Sequence, residues 1–348
     1  MSLIPFAGFR SLETHHCVTG SMLHIYDFYN HNISEDMLLG IGSGLSFIYW
    51  HMKGMAPMIG GRGNVGRPGE EGLEITAGRR TGVLVEKHHS GSASKAEKAL
   101  LELLEAGQPV MMNVDMGFLP YFDLPEDFHF GGHAIVVGGY DPVSKEVLIA
   151  DRDKDLHPVS WEDLIKARGS KFKPFPPENM WFTFDFSLKR QPQPEEIREA
   201  ILDVCKYMLE APISNIGVRG ILKAASRVPR WPKTMDAEEL RWSCFNSYIF
   251  IDAEGGTGGG LFRYMYGRFL EEAAKLSGVQ KLAEAGKNLK VVGDKWQEVA
   301  ELFKEGSKMK DPSPILSETT SPLLEIAHME EALWTRLREM LQKHPWHE

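Results

Sequence analysis

Three residue types that can act together on a carbonyl lie far apart in this chain. Cys17 stands in Thr14-His15-His16-Cys17-Val18-Thr19-Gly20, just ahead of a helical pattern. His133 follows two glycines in Gly131-Gly132-His133-Ala134-Ile135-Val136-Val137-Gly138 and opens an apolar strand. Asp151 closes the next strand in Ile149-Ala150-Asp151. A thiol attacks a carbonyl as thiolate, so it must lose its proton near neutral pH. The start of a helix supplies partial positive charge and unpaired N–H donors for that purpose. A histidine can hold the proton and return it to a leaving group. A carboxylate behind the histidine can accept from the ring N–H and fix its tautomer. The chemistry implied is acyl transfer or hydrolysis through a covalent intermediate on Cys17. Asp153 has the same strand parity as Asp151 and is the alternative orienter, with Asp151 preferred. Singly, each residue has a plainer reading: thiols pack as small apolar groups, and an aspartate can serve a turn. The ordered set, each member at an element end, favours catalysis.

The elements that must position these residues are partly legible. Val18, Met22, Ile25, Tyr26 and Tyr29 share one face of a helix over 18–30. Ser34-Glu35-Asp36 starts a second helix, followed by the glycine-broken stretch 40–44. Ala96, Ala99, Leu100, Leu103 and Leu104 form the stripe of a helix over 92–106, with Gly107 as its stop. Strand-like runs follow at 109–114, 134–140, 147–151 and 180–184. Asp141-Pro142-Val143-Ser144-Lys145 is a turn that makes the second and third of these a hairpin. Folding that hairpin brings positions 151–154 beside His133. Ser160 with Asp163 reads as a helix N-cap. A polar, proline-bearing stretch near 188–196 reads as a linker. Beyond it the pattern is helical, at about 195–210, 214–228, 236–252, 260–276, 278–305 and 318–342. The expected layout is an α+β domain over 1–190 and an all-helical domain over 195–348.

Composition narrows the function classes. The chain has 348 residues, enough for about two domains. Forty-eight acidic against 39 basic residues give a formal charge of −9, which argues against general nucleic-acid binding. No apolar run approaches the ~18 residues of a membrane span, and no signal-peptide pattern opens the sequence. Three scattered cysteines, Cys17, Cys205 and Cys244, make no disulfide framework and no zinc spacing. A reducing cytoplasm, where a free thiol survives, is the expected location.

Three stretches resemble the family named after the N-terminal domain of butirosin-biosynthesis protein H. They are His15-His16-Cys17, the segment from Ser34-Glu35 to Gly44, and Gly132-His133-Ala134-Ile135-Val136-Val137. The helical half, with Glu254-Gly255-Gly256-Thr257-Gly258-Gly259-Gly260-Leu261-Phe262-Arg263, is similar to the uncharacterised helical domain that often follows it. The resemblance implies a papain-like cysteine-catalyst domain with Cys17, His133 and Asp151 as its triad. It implies transfer of an acyl or aminoacyl group from an acyl carrier protein thioester to a small amine-bearing acceptor, with no cofactor. One departure bears on the reaction. Papain-like peptidases carry an oxyanion-donating glutamine shortly before the cysteine, and the stretch before Cys17 holds neither glutamine nor asparagine. The Cys17 N–H can donate, with His15 or His16 as the second donor. This favours transfer from an already activated thioester over peptide cleavage. The alternatives are a cysteine amidase or peptidase and a non-catalytic binding protein on the same fold. The helical domain is a candidate cover for the site or dimer contact.

Other signals are weaker. Residues 255–260 lack the Gly-Lys-Ser/Thr ending of a phosphate loop and read as entry to a helix. His15-His16 and His88-His89 lack supporting ligands for a metal. Arg219, Lys223, Arg227 and Arg230 recur at helical spacing and could receive an acidic carrier protein, though such a stripe is usually a solvated face. Asp115, Asp123, Glu126 and Asp127 precede His133 and could receive a cationic substrate, though a polar surface loop is the plainer reading.

Overall fold

Helix α1 (Cys17–Phe28) begins at the candidate thiol, and its first turn explains why. His16 is the N-cap, in extended backbone, and its ring accepts the Thr19 N–H. The apolar spacing predicts one buried face. In fact Val18, Thr19, Gly20, Ser21, Met22, His24, Ile25 and Tyr26 are all buried. A helix covered on nearly every side is interior, not a surface helix.

The computed structural model describes residues 3–51, 56–66, 70–125 and 127–343. After α1 come α2 (Glu35–Ile41), β1 (Leu45–Trp50), β2 (Met58–Arg62), α3 (Leu73–Arg80) and β3 (Leu84–His88). Next are α4 (Ala93–Glu105), β4 (Val110–Val114), β5 (His133–Asp141), β6 (Glu146–Ala150), β7 (Leu156–Ser160), α5 (Trp161–Gly169) and β8 (Trp181–Asp185). The rest is helical: α6 (Pro194–Leu209), α7 (Gly217–Arg227), α8 (Ala237–Ile251), α9 (Arg263–Ser277), α10 (Gln280–Lys308), α11 (Ser313–Glu318) and α12 (Thr320–Lys343). The protein is therefore α+β, with its larger sheet early in the chain and helices late. Among the described residues no helix is long and apolar enough to cross a membrane.

The chain divides into two compact units, Met1–Leu38 with Thr81–Gln191, and Leu39–Arg80 with Pro192–Glu348. Residues 39–80, expected within the N-terminal domain, thus lie in the other unit. The cause is pairing: β1 and β2 form their own antiparallel sheet, and β1 packs on α7 while β2 packs on α8.

The first unit is built on a six-stranded antiparallel sheet in the order β3-β8-β4-β5-β6-β7. The expected hairpin is β5–β6, with Val137 opposite Ile149 and Asp141 opposite Glu146. Val110, Met112, Val114, Ile135, Val137, Val147 and Ile149 join Leu100 and Leu104 of α4 and Leu164 of α5 in one core. Helix α1 lies against β5 and β4. Two strands that the apolar pattern does not announce are β3 and β7, the sheet's edges. Pro158 in β7 fits that position, because an edge strand need not donate every N–H.

In the second unit the glycine-rich stretch is a packed turn. Gly256, Gly258, Gly259 and Gly260 have positive φ, and so do Leu261 (52°) and Phe262 (69°). The last two residues are buried, and a side chain at Gly61 of β2 would strike them. The Gly260 N–H donates to Gln297 Oε1 at 3.0 Å. Helix α9 begins only at Arg263, whose guanidinium is fully buried against Glu330.

Candidate active site

His133 opens β5 opposite Val114 of β4. The preceding chain passes so close to the Phe175 carbonyl that a side chain at Gly131 would strike it. His133 Nε2 lies 2.7 Å from Asp151 Oδ2, and both side chains are buried. Since Asp151 holds Nε2, Nδ1 is the nitrogen left for the thiol. The Cys17 thiol lies close enough to the rings of His133 and His16 for both to act on its charge. The structure therefore brings Cys17, His133 and Asp151 together. Cys17 is part-exposed, whereas Cys205 and Cys244 are buried. Asp153 stands apart from His133: its carboxylate takes His157 Nε2 at 3.0 Å.

The electrostatics of the group follow from its contacts. Burial alone would push the Cys17 thiol up. The His16 ring and the His133 hydrogen bond outweigh it and hold the thiol well below its ordinary value. Burial pulls the His133 ring down, but the charge and hydrogen bond of Asp151, with Cys17, raise it to about 10. Burial would raise the Asp151 carboxyl, and His133 and Tyr121 keep it lowered instead. These directions all favour a thiolate beside an imidazolium, backed by a carboxylate. The other two thiols go the opposite way, pushed by burial to about 12.

Two residues of this arrangement went unmarked as site residues in the sequence. Tyr121 lies in a short 3-10 turn, Pro120–Phe122, and its hydroxyl donates to Asp151 Oδ2 at 2.8 Å. Its neighbour Phe122 sets its ring edge-on to His133, centroids 5.4 Å apart. Glu35, at the start of α2, accepts the N–H groups of His15 and His16 at 2.9 and 2.8 Å and the Thr19 hydroxyl at 2.9 Å. It thereby fixes the turn that presents Cys17. It also engages the backbone N–H groups of His15 and His16, so those two donors are already used. The sequence traces of Glu35 are its helix-start pattern and its place in the segment that resembles the family, and neither gives it a role. Tyr121 leaves none. Behind the site His24 is buried and pulled to about 4 by that burial, so its Nε2 stays an acceptor for the Leu12 N–H.

The remaining candidates divide. Asp115 is fully buried: it accepts from Gly117, Phe130, Ser170 and His129 and so braces the loop before His133. It cannot be part of a surface acidic patch. Asp123 and Asp127 are exposed, and Glu126 lies outside the described residues. Arg219, Arg227 and Arg230 are exposed, while Lys223 is tied to Asn215 at 2.7 Å and Arg219 to the Ala211 carbonyl. His88 bonds Thr183 Oγ1 at 2.8 Å and stacks on Trp181. Among the described residues no group of three or more His, Cys, Asp or Glu could hold a metal ion.

Residues 16–152 match the family described as butirosin biosynthesis protein H, N-terminal. That span opens at His16 and closes one residue after Asp151, so it encloses the whole group. Residues 162–337, about half of the chain, match the domain of unknown function DUF4872. No curated protein matches the chain.

Proposed function

Because the chain belongs to the family in which the butirosin biosynthesis protein H N-terminal domain is followed by the domain of unknown function DUF4872, we propose that it is a cysteine-dependent acyltransferase. The observation that carries this reading is Cys17 beside a His133 that is hydrogen-bonded to Asp151, with the thiol held low and the imidazole held high. Cys17 is the nucleophile, His133 the acid and base, and Asp151 the orienter. An interior helix with a thiol at its start, set against an antiparallel sheet whose strand begins with the histidine, supports assigning the first unit to the papain-like catalysts.

The reaction runs in two halves. The Cys17 thiolate attacks the carbonyl of a carrier thioester, and the carrier sulfur leaves with the proton of the His133 imidazolium. The acyl group now sits on Cys17 and His133 is neutral. An amine acceptor attacks this acyl-enzyme and gives its proton to His133. Collapse expels Cys17 as thiolate, restoring the starting ion pair and releasing an amide. A thioester donor suits a site whose oxyanion donors are few, because its carbonyl is already activated. The partners in this reading are an acyl carrier protein and a small amine, in a reducing cytoplasm. Water in place of the amine would make the protein a hydrolase by the same route.

The test is intact-mass analysis after incubation with a simple acyl thioester, with and without an amine. An acyl adduct on Cys17 that disappears on adding amine, with amide appearing, is the expected result. Equal product from Cys17→Ala would sink the reading. Turnover of amide substrates without an amine acceptor would move it to an amidase.

A further inference from the structure

We propose that Tyr121 is a positioning residue that acts through Asp151 to set how tightly His133 holds its proton; this rests on the acyl-transfer reading only for its rate prediction. Tyr121 Oη and His133 Nε2 approach the same oxygen, Asp151 Oδ2, at 2.8 and 2.7 Å. Among the described residues no donor reaches the other oxygen, Oδ1, which is buried. The two donors therefore compete for one site of negative charge. A phenol on that oxygen draws charge away from the imidazolium, and its loss gives the carboxylate wholly to His133.

The turn that carries Tyr121 is built for this contact. Pro120 opens it and Asp123, in left-handed backbone at φ 47°, closes it. The Tyr121 ring stacks on His157 at 4.2 Å, and Phe122 meets His133 itself. Burial and then the Asp151 charge push the phenol far up, so Tyr121 stays a neutral donor at any working pH. Its influence must then show in the titration of its partners. The charged and titratable groups around the carboxylate and the phenol are Cys17, His16, His24, Arg152, Asp153 and His157.

Tyr121→Phe removes the hydroxyl and keeps the ring stack. Alkylation of Cys17 by iodoacetamide, followed against pH, needs no substrate. Its rate rises first as the thiolate forms and again as His133 loses its proton. In Tyr121→Phe the upper step moves up by about one pH unit, while the lower step stays nearer its place. In the transfer assay kcat falls roughly tenfold with KM unchanged. In an Asp151→Asn background the same substitution shifts nothing further, because the hydroxyl has lost the group it acts through.

An unmoved upper step in folded Tyr121→Phe overturns the proposal, as does a full additional shift in the Asp151→Asn background. If wild-type protein transfers no acyl group but the upper step moves as stated, the transferase reading falls and the role of Tyr121 stands. Tyr121→Leu, which also removes the stack, is the check on the ring. A loss of folding in Leu but not in Phe assigns stability to the ring and leaves the hydroxyl to the proton.

Discussion

Each of the two units holds a buried ion pair, and the two pairs are finished differently. In the second unit Glu330 Oε1 accepts from Arg263 Nε and Trp296 Nε1, and Oε2 from Arg263 Nη2 and Trp334 Nε1. Arg263 spends its other donors on the Ser46 and Leu261 carbonyls. Both side chains are wholly removed from solvent, and both carboxylate oxygens are doubly served. In the first unit, among the described residues, both donors to Asp151 reach one oxygen and none reaches the other, and His133 lies beside the part-exposed Cys17. A saturated pair fixes packing. In the proposed reading, a pair with both donors on one oxygen keeps a proton in play beside the Cys17 thiol. The cysteines repeat the lesson, since burial without histidines raises Cys205 and Cys244 to about 12 while Cys17 is held low.

The contrast can be broken most sharply at the thiol. Cys17→Ala should lower acyl transfer roughly 10⁴-fold or more and abolish rapid iodoacetamide labelling at neutral pH. Retained transfer would show that the first pair is as inert as the second. Asp151→Asn comes next, with transfer down by about 10²- to 10⁴-fold as His133 loses its orienter. Steady-state rates would check it, and an unchanged rate would remove Asp151 from the machinery.

The matching change in the other pair is Glu330→Gln, which strands the Arg263 guanidinium. Its expected effect is on stability, about 3–5 kcal/mol by denaturant titration. A loss well under 1 kcal/mol would mean that the neighbouring carbonyls satisfy Arg263 alone.

A smaller effect separates the pairs by pH. Cys17→Ala removes the thiolate and leaves His133 with Asp151. Asp151 is lowered in the folded state, so its contribution is present above the ordinary carboxylate range and lost as pH falls through the folded value. The Asp151 charge and hydrogen bond, the first of the causes that raise His133, remain in this variant, so the contribution they supply is full below about 6.5 and lost as pH rises through the folded value. Unfolding free energy against pH should form a plateau with a falling limb on each side. His133→Asn on the same background should flatten the alkaline limb. A curve equally steep in both proteins would assign that limb to other groups. The smallest change belongs to Cys205→Ser and Cys244→Ser, which should leave native-state labelling as it is, because those thiols are buried and protonated at neutral pH.

Local pattern carried much of the first unit. The start of α5 is legible because Ser160 stands where its side chain caps the following turn, and α1 is legible from its apolar spacing, while its His16 cap is not. The β5–β6 hairpin is legible from two apolar runs around a turn. The edge strands are not: Leu84-Val85-Glu86-Lys87-His88 and Leu156-His157-Pro158-Val159-Ser160 carry charge, histidine or proline where an interior strand carries apolar residues. The glycine run reads as flexible punctuation, yet its left-handed turn is held by Gln297, a residue far along the chain. Residues 39–80 read as part of the early domain because nothing local reports that β1 and β2 pack on α7 and α8.

The sequence by itself determined the chemistry on offer: a thiol at a helix start, a histidine at a strand start and an acid at a strand end. Residue type and local periodicity are enough for that. Only the tertiary structure decided which acid faces the histidine, because Asp151 and Asp153 share a parity and differ in neighbours. It alone brought Glu35 under the Cys17 turn and Tyr121 onto Asp151 Oδ2. Hydrogen bonds across 19 and 30 residues leave no periodic mark on the chain, since they depend on where separate elements come to rest.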